Sequence, residues 1–496
     1  MDKREIKLYI DDESFLYDVQ GLVMAFYPGR KPVSTTDPKE AELAIRVPEG
    51  DDRRMVKNTL KKELYHRLSG ETGRSLPWGT LTGVRPTKIV LRLIAEGRSH
   101  GEIIDKMRKE YLTSEDKARL SADIAFREAE MIGELYGSPY SATMTGAAGA
   151  DTPVCLYIGI PFCPSICLYC SFSSYAIGAY KDTVDDYILA LKEELRGAAG
   201  ALGDRHIAAV YFGGGTPTSL SAEQIDGLLA TVSDCFDLSG LTEYTVEAGR
   251  PDSITREKLE VLSHHGVDRI SINPQTLQQQ TLDTIGRRHT VEDFYRAYTM
   301  AREYSFIINT DLIVGLPGEG EPEVADTLRR VADLSPDNLT VHSLARKRAS
   351  RLTEEWEEYA DEAFVYTDAI EHIVYDTARQ LDMEPYYMYR QKNIAGNMEN
   401  VGFAHRGEEC LYNVLMMEEA CDIAAFGAGA VSKRMPIPEM PTPEMSTPKM
   451  PESESSALEK TRSGLYAKAD RLRNPKDVKN YINRIAEVTE KKQNFF

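Results

Sequence analysis

The sequence predicts an α/β protein built on a partial (β/α)6 barrel, with an N-terminal α+β domain and a C-terminal accessory region. Two observations lead to this prediction. Short apolar runs alternate six times with helical patterns between residues 154 and 364, which is typical of parallel strands joined by crossover helices. Glycines and polar residues follow these runs at their carboxyl ends, where such folds place their functional sites.

The composition of the chain changes at three points, which predict its domain boundaries. Residues 1–136 form the predicted N-terminal domain, and residues 137–153 are small and polar, as in a linker. The barrel is expected over 154–364 and the accessory region over 365–496. Within the latter, the near-repetitive Pro/Met-rich insert 435–457 has no pattern that packs a core, so we expect it to be disordered.

Each predicted element of the barrel is a short run. The expected strands are Val154–Ile160, Ala208–Phe212, Tyr244–Ala248, Arg269–Asn273, Ile308–Val314 and Leu339–Leu344. The expected helices are Val184–Ala198, Ala222–Cys235, Arg256–His265, Gln279–Ile285, Val291–Tyr304 and Glu321–Leu334.

Residues able to bind a ligand fall at the ends of these strands. Glu247 ends the third run, Gln275 follows the fourth and Asp311 lies in the fifth. Either acid taken alone is as readily a helix cap or an ion-pair partner. Their shared location at the carboxyl ends of the predicted barrel strands favours a functional role.

The second run leads into a glycine-rich turn that lets backbone approach a ligand closely. This turn contains Gly214, Gly215 and Thr216.

Three cysteines follow the first strand with the spacing C-x3-C-x2-C: Cys163, Cys167 and Cys170. Three thiolates in one loop are suited to hold three irons of a four-iron cluster, which leaves the fourth iron open for chemistry. Structural zinc is the alternative, but it needs four ligands and no second C-x2-C pair is present. The chain has 7 cysteines, an odd number, and a charged start in place of a signal peptide. We therefore expect a reducing, cytoplasmic environment.

Charge and composition exclude two function classes. The formal net charge of -19 disfavours nucleic-acid binding, which needs clustered Lys and Arg. Hydrophobic residues make up 42% and charged residues 28% of the chain, as in soluble globular proteins, and no apolar run is long enough to span a membrane.

Five motifs together resemble the radical S-adenosylmethionine (SAM) superfamily and, more narrowly, the oxygen-independent coproporphyrinogen III oxidase family. These motifs are Tyr157–Cys170, Gly213–Thr218, the segment around Gln275, Ile285–Thr290 and Asp311–Gly318. The N-terminal extension and Pro385–Lys392 resemble the HemZ-type branch of that family.

The resemblance implies a 4Fe-4S cluster on the three cysteines and one or two molecules of SAM. It implies oxidative decarboxylation of coproporphyrinogen III propionates to vinyl groups, which yields protoporphyrinogen IX in anaerobic heme biosynthesis. The expected partners are the tetrapyrrole and a low-potential electron donor such as flavodoxin or ferredoxin. By motif match, Tyr157 lies near the first SAM as a catalytic residue, whereas Gln275, Arg287 (or Arg288) and Asp311 match positions for a second SAM.

Other residues are assigned to cofactor and substrate by their chemistry. Tyr169 lies inside the cysteine loop, where its ring suits stacking on an adenine, and the glycine turn suits the methionine end of SAM. A tetracarboxylate needs cations, and solvated surface positions are the alternative for each candidate. The candidate cations are Arg346, Arg348, Arg390 and Lys392.

Two departures from the oxidase pattern keep a second function open. Phe172 stands where the oxidase has a fourth cysteine, and Gly159 stands where it has histidine. A related heme-binding group also has phenylalanine at the first position. The alternative function is therefore a heme carrier or chaperone without decarboxylase activity, and a third is radical chemistry on another substrate.

Overall fold

A computed structural model describes residues 5–82, 85–140, 152–345, 347, 349–359, 367–391, 398–435 and 469–496. Three candidate substrate residues, Arg346, Arg348 and Lys392, lie outside these ranges. So do most of the predicted linker and all of the Pro/Met-rich insert except Met435.

The chain divides into two compact units. One comprises Met1–Arg127 and Met388–Val401, and the other comprises Glu128–Tyr387 and Gly402–Phe496. Among the described residues, no helix is both long enough and apolar enough to cross a membrane.

The first unit contains a small parallel sheet with the strand order β2-β1-β3. Its core is formed by alternate residues of β1, such as Leu8, and by the apolar faces of the first two helices, such as Val19 and Leu60. The elements from the N-terminus onward are β1 (Glu5–Ile10), α1 (Leu16–Phe26), β2 (Lys31–Ser34), β3 (Leu43–Ile45), α2 (Arg53–Thr72), α3 (Pro86–Ala95), α4 (His100–Tyr111) and α5 (Glu115–Tyr136).

A buried charged group lies in the first unit. Lys117 forms an ion pair with Glu399, and both side chains are almost fully buried. The Trp78 indole donates a 2.6 Å hydrogen bond to the same carboxylate. Burial alone would raise the pKa of Glu399, but the Lys117 ammonium and the two hydrogen bonds lower it overall. Glu399 is therefore a paired carboxylate, which is the form in which buried charges are tolerated.

The second unit alternates strands and helices along the chain. Its strands are β4 (Val154–Ile160), β5 (Phe162–Cys163), β6 (Tyr175–Ala176), β7 (Ile207–Gly214), β8 (Glu243–Glu247), β9 (Arg269–Ser271), β10 (Ile307–Val314), β11 (Asn338–Ser343), β12 (Glu384–Tyr389), β13 (Asn400–Ala404), β14 (Asp422–Phe426), β15 (Val431–Arg434) and β16 (Asp470–Arg473), of which β12 and β13 run across the division between the units. Its helices are α6 (Val184–Leu202), α7 (Ala222–Cys235), α8 (Arg256–His264), α9 (Gln279–Thr284), α10 (Val291–Ala301), α11 (Glu321–Ala332), α12 (Arg351–Glu354), α13 (Trp356–Tyr359), α14 (Asp368–Gln380), α15 (Leu411–Glu418), α16 (Val478–Asn483) and α17 (Ile485–Gln493).

The predicted six-fold alternation is confirmed. Strands β4, β7, β8, β9, β10 and β11 are neighbours in that order, and each pair is parallel. All six helices expected between and after them are present, with ends that differ from the predicted ends by a few residues. The carboxyl ends of the six strands therefore lie along one edge of the sheet, as the fold class requires.

The accessory region adds strands to this sheet, which the sequence did not predict. Strand β14 pairs in parallel with β4, and β15 and β16 follow as antiparallel strands. Among the described residues the full order is β12-β13-β11-β10-β9-β8-β7-β4-β14-β15-β16, an open sheet. Strand β14 is a fully buried five-residue run whose apolar pattern alone does not distinguish a strand from part of a helix.

Candidate functional site

The three cysteines lie in a loop that backbone hydrogen bonds hold in place. Strand β4 ends at Ile160, and the Leu168 N–H donates to the carbonyl of Ile285. The Ser165 hydroxyl donates to the Gly286 carbonyl at 2.9 Å. Leu168 is also buried in a small apolar cluster with Leu282, Ile285, Ile313, Leu316 and Leu352. Hydrogen bonds and apolar packing therefore attach the cysteine loop to the segment after α9, in addition to its chain connection to β4.

Each cysteine sulfur has a polar partner. The Thr216 hydroxyl donates to Cys163 Sγ at 3.6 Å. Arg250 Nη1 donates to Cys167 Sγ at 3.9 Å. The Ser174 hydroxyl lies 3.8 Å from Cys170 Sγ. Hydrogen bonds of this kind orient sulfur ligands and modify their electronic properties.

The glycine turn lies directly against the cysteine loop. The Gly215 and Thr216 N–H groups donate to the carbonyls of Ile160 and Phe162, both at 2.7 Å. A Cβ atom at Gly215 would lie 2.6 Å from the Phe162 oxygen and 3.0 Å from Cys163 Sγ. Position 215 therefore requires glycine, because any side chain would displace the backbone that carries the cysteines.

The thiols are partly exposed and free, so they are available as ligands. Burial raises the pKa of Cys163 to about 11 and also raises the pKa of Cys170. Metal binding at these thiols would release protons, since the ligand is the thiolate. Among the described residues, no group of three or more His, Cys, Asp and Glu side chains is arranged to hold a metal ion. A four-iron cluster spreads its cysteine ligands over several irons, so its sulfurs need not converge on one point.

Two tyrosines and one glutamate lie beside the glycine turn. The Tyr211 hydroxyl donates a 2.6 Å hydrogen bond to Glu247 Oε1. The Tyr157 ring stacks on Tyr211 with centroids 6.3 Å apart and an interplanar angle of 14°. Burial raises the pKa of Glu247 to about 7, and the hydrogen bond from Tyr211 limits this rise. Glu247 is thus poised to change charge near neutral pH.

Asp311 has the opposite electrostatic character. Its carboxylate accepts hydrogen bonds from Asn273 Nδ2 at 2.8 Å and from Asn309 Nδ2 at 2.7 Å, and His342 Nε2 lies 3.7 Å away. Burial alone would raise its pKa, but hydrogen bonds from His342, Asn309 and Thr340 lower it overall. The site therefore contains one acid that is stably ionised and one that is close to titration, a pattern frequent at functional sites.

Gln275 occupies a strained position beside Asp311. Its φ is +69°, which is uncommon for a residue with a side chain. Its N–H donates to the Asp311 carbonyl, and its own carbonyl accepts from the Ile313 N–H. These two hydrogen bonds to β10 hold the backbone of Gln275 in this conformation. Among the described groups, its buried Oε1 has no hydrogen-bond partner. A strained residue with an unsatisfied amide oxygen fits a ligand-binding position.

Arg287 links the predicted adenine-stacking residue to the rest of the site. Its Nη1 donates to the Tyr169 hydroxyl at 3.2 Å, and its Nη2 donates to the carbonyls of Gly249 and Asn273. Arg287 is 3% exposed, whereas the neighbouring Arg288 is exposed. Of the two arginines between which the sequence did not decide, Arg287 contacts Tyr169 in the cysteine loop and Arg288 is exposed.

The remaining substrate candidate in the described chain, Arg390, lies in the first unit. Its guanidinium is buried, donates to the Leu81 carbonyl at 2.7 Å and lies over the Trp78 ring. Its assignment to a substrate stays a prediction.

Sequence reasoning missed two residues of the site, Arg250 and His342. Arg250 follows Glu247 by three positions, and His342 lies near the carboxyl end of β11. Both could have been found by applying the strand-end rule to basic residues as well as to acids.

The residues present fit a cluster and a small ligand bound beside it. Three free thiols and a glycine turn without room for side chains lie against each other, and Gln275 follows β9 at the same edge of the sheet. This arrangement provides sulfur ligands on one side and backbone, acid and amide groups on the other.

Comparisons with known proteins place the chain among relatives of the expected kind. Residues 157–331 match the family model described as the Radical SAM superfamily. The chain is 40% identical over 384 residues to the oxygen-independent coproporphyrinogen-III oxidase-like protein HemZ of Bacillus subtilis, a match that covers 77% of this chain and 74% of that one.

Two further relatives show how the family varies. The heme chaperone HemW of Bacillus subtilis is 37% identical over 190 residues, which are 38% of this chain and 49% of HemW. The structure of coproporphyrinogen III oxidase (HemN) from Escherichia coli aligns with a TM-score of 0.52 at 22% identity, covering 70% of this chain and 73% of that one. This structural likeness confirms the fold class.

Proposed function

Because the chain belongs to the oxygen-independent coproporphyrinogen-III oxidase-like family of radical SAM proteins, we propose that it converts coproporphyrinogen III to protoporphyrinogen IX. In this reaction two propionate side chains become vinyl groups, and each loses CO2, one hydrogen atom and one electron, which passes to an electron acceptor. The observation that carries the proposal is the packing of the cysteine loop against the Gly215 turn, with the Tyr169–Arg287 contact beside it.

In the proposed site, Cys163, Cys167 and Cys170 hold a 4Fe-4S cluster and the glycine turn holds SAM. When bound, these cofactors supply the one-electron chemistry that removal of a hydrogen atom from a propionate carbon requires. A low-potential donor such as flavodoxin or ferredoxin provides the electrons.

The protein's own residues bind and orient. The Gly214–Thr216 backbone approaches the ligand closely because it lacks bulky side chains. Glu247 and Asp311 accept hydrogen bonds from hydroxyl or ammonium groups, and the free Gln275 Oε1 accepts one more. Arg287 fixes the Tyr169 ring through its hydroxyl, so the ring presents a constant face to an adenine.

A second candidate function, heme binding without decarboxylation, is favoured by two residues. Phe172 replaces the fourth cysteine and its side chain is 73% exposed. Gly159 replaces the histidine, and a Cβ atom there would lie 3.2 Å from the Phe426 carbonyl oxygen and 3.4 Å from the Tyr157 ring. A histidine at position 159 would therefore require neighbouring residues to move.

An anaerobic assay separates the two functions. The protein is reconstituted with iron and sulfide, and SAM, a reductant and coproporphyrinogen III are added. Vinyl products detected by mass spectrometry support the proposed decarboxylation. Cleavage of SAM without loss of CO2, together with stoichiometric heme binding, would establish the carrier function instead.

The cluster assignment has its own control. Replacing Cys163, Cys167 and Cys170 by Ala is expected to abolish iron binding, whereas Cys235→Ala is expected to leave it unchanged, because Cys235 lies at the end of α7. A normal four-iron spectrum in the triple variant would disprove the assignment.

A further inference from the structure

We propose that Arg250 raises the reduction potential of the cluster by donating a charged hydrogen bond to the Cys167 sulfur. The inference rests on the cluster of the proposed function and assigns to Arg250 a positioning and tuning role within that site.

The Arg250 guanidinium is fixed by contacts on two sides. It is 3% exposed, and its Nε and Nη2 atoms donate to the two carboxylate oxygens of Asp252, both at 2.9 Å. Such a two-point contact holds the planar fork in one orientation. The remaining nitrogen, Nη1, is thereby directed at the cysteine loop.

On the other side, Nη1 contacts three atoms of that loop. It donates to the Ser165 carbonyl at 3.2 Å, to the Ser165 hydroxyl at 3.1 Å and to Cys167 Sγ at 3.9 Å. One nitrogen therefore positions the backbone before Cys167 and also reaches its sulfur.

The three sulfurs differ in the charge of their partners. The hydrogen-bond partners of Cys163 and Cys170 are the neutral hydroxyls of Thr216 and Ser174, whereas that of Cys167 is a guanidinium. Arg287 and Lys347 also interact electrostatically with Cys170, but among the described contacts neither donates a hydrogen bond to its sulfur. Reduction adds negative charge to the cluster and its thiolates, and a nearby cation in a buried environment stabilises that charge. Hydrogen bonds to the sulfurs act in the same direction on the potential. Asp252 opposes the effect, since it neutralises part of the arginine charge.

The test is a redox titration of the reconstituted protein followed by electron paramagnetic resonance. In Arg250→Gln, the reduced-to-oxidised ratio at a fixed potential is expected to fall about tenfold, which is a shift of about 59 mV to more negative potential for one electron. Arg250→Lys keeps the positive charge but lacks the planar guanidinium, so its reduction potential should shift less than that of Arg250→Gln. Asp252→Asn should shift the potential in the positive direction.

The matched control is Arg256→Gln, because Arg256 is exposed and pairs with Glu303 on the surface. This variant is expected to keep the wild-type potential. Full iron content with an unchanged potential in Arg250→Gln would overturn the inference while leaving the proposed function intact. If Arg250→Gln retains no iron, its potential cannot be measured, and the Asp252→Asn variant provides the test instead. An unchanged or more negative potential in Asp252→Asn would overturn the inference. Failure of the wild-type protein to take up iron would overturn both proposals.

Discussion

The Tyr211 hydroxyl donates a 2.6 Å hydrogen bond to the carboxyl group of Glu247. Burial raises the pKa of this carboxyl group to about 7. Tyr211 stabilises the ionised form of this acid, while burial and the negative charge of Asp311 favour the neutral form. Glu247 consequently changes charge in the physiological range, unlike Asp311, whose pKa lies below its usual value.

The first prediction concerns the pH dependence of SAM binding. The carboxylate of Glu247 is a stronger acceptor than the neutral acid, so affinity should increase as the pH rises through 7. Between pH 6 and pH 8 the expected gain is about tenfold, which follows the ionised fraction of a group with this pKa. Calorimetry on the reconstituted protein measures it. Glu247→Gln should remove the dependence, and an unchanged pH profile in that variant would exclude Glu247 as the titrating group.

Stability should respond to the same group with the opposite sign. Glu247 has a higher pKa in the folded chain than its ordinary value of 4.5, so the folded state binds more protons between pH 4.5 and 7. Its contribution to the free energy of unfolding is therefore lost as the pH rises through this window. Urea unfolding of the wild-type protein and Glu247→Gln across this range separates the effect on folding from that on binding.

The second prediction concerns Gly215→Ala. The added Cβ atom would clash with the Phe162 and Ile160 carbonyl oxygens and with Cys163 Sγ, so the cysteine loop must move. We expect iron content after reconstitution to fall by half or more, while circular dichroism shows a folded protein. Gly200→Ala is the control, because this glycine lies in α6 with open space around its Cα. That variant should keep full iron content and gain about 0.5–1 kcal/mol of stability. Normal iron content in Gly215→Ala would show that the turn does not position the loop.

The sequence was sufficient for the barrel strands and for the cysteine loop because both depend on local patterns. Apolar runs define β4 and the five strands β7 to β11, and the spacing of the cysteines defines a single loop. Contacts between distant segments have no local signature. The Arg250–Cys167 hydrogen bond joins residues 83 positions apart, and β14 pairs with β4 across more than 260 residues. The pKa values of Glu247 and Asp311 likewise depend on which side chains the fold brings beside them.

The third prediction concerns Phe172, which is 73% exposed immediately after the cysteine loop. Its removal leaves no cavity, so Phe172→Ala should keep the cluster and the stability of the protein. If the ring stacks on a tetrapyrrole, the variant should bind heme about 2–10 fold more weakly, as expected for one aromatic contact. Absorbance titration measures this affinity. Leu189→Ala, at an apolar residue on α6 that is 65% exposed, is the control and should bind heme normally. Equal affinity in Phe172→Ala and Leu189→Ala would exclude Phe172 from the tetrapyrrole site.

The fourth prediction compares two adjacent lysines of the C-terminal helix α17. Lys492 is fully buried, pairs with the equally buried Glu194 and also donates to the Ala425 carbonyl. Lys491 is 55% exposed and pairs with Glu487 on the surface. Removing one partner of a buried pair leaves a charge without compensation, whereas an exposed pair contributes little.

Lys492→Met should therefore destabilise the protein by about 3–5 kcal/mol, and Lys491→Met by less than about 1 kcal/mol, in urea unfolding. The physical cause can be isolated with Glu194→Gln in the Lys492→Met background, which removes the uncompensated charge. Because Glu194 also accepts hydrogen bonds from Tyr481 and Asn474, which Gln can satisfy only in part, the double variant should recover some but not all of the loss. Equal effects of the two lysine substitutions would mean that the Lys492–Glu194 pair does not hold α17 against α6.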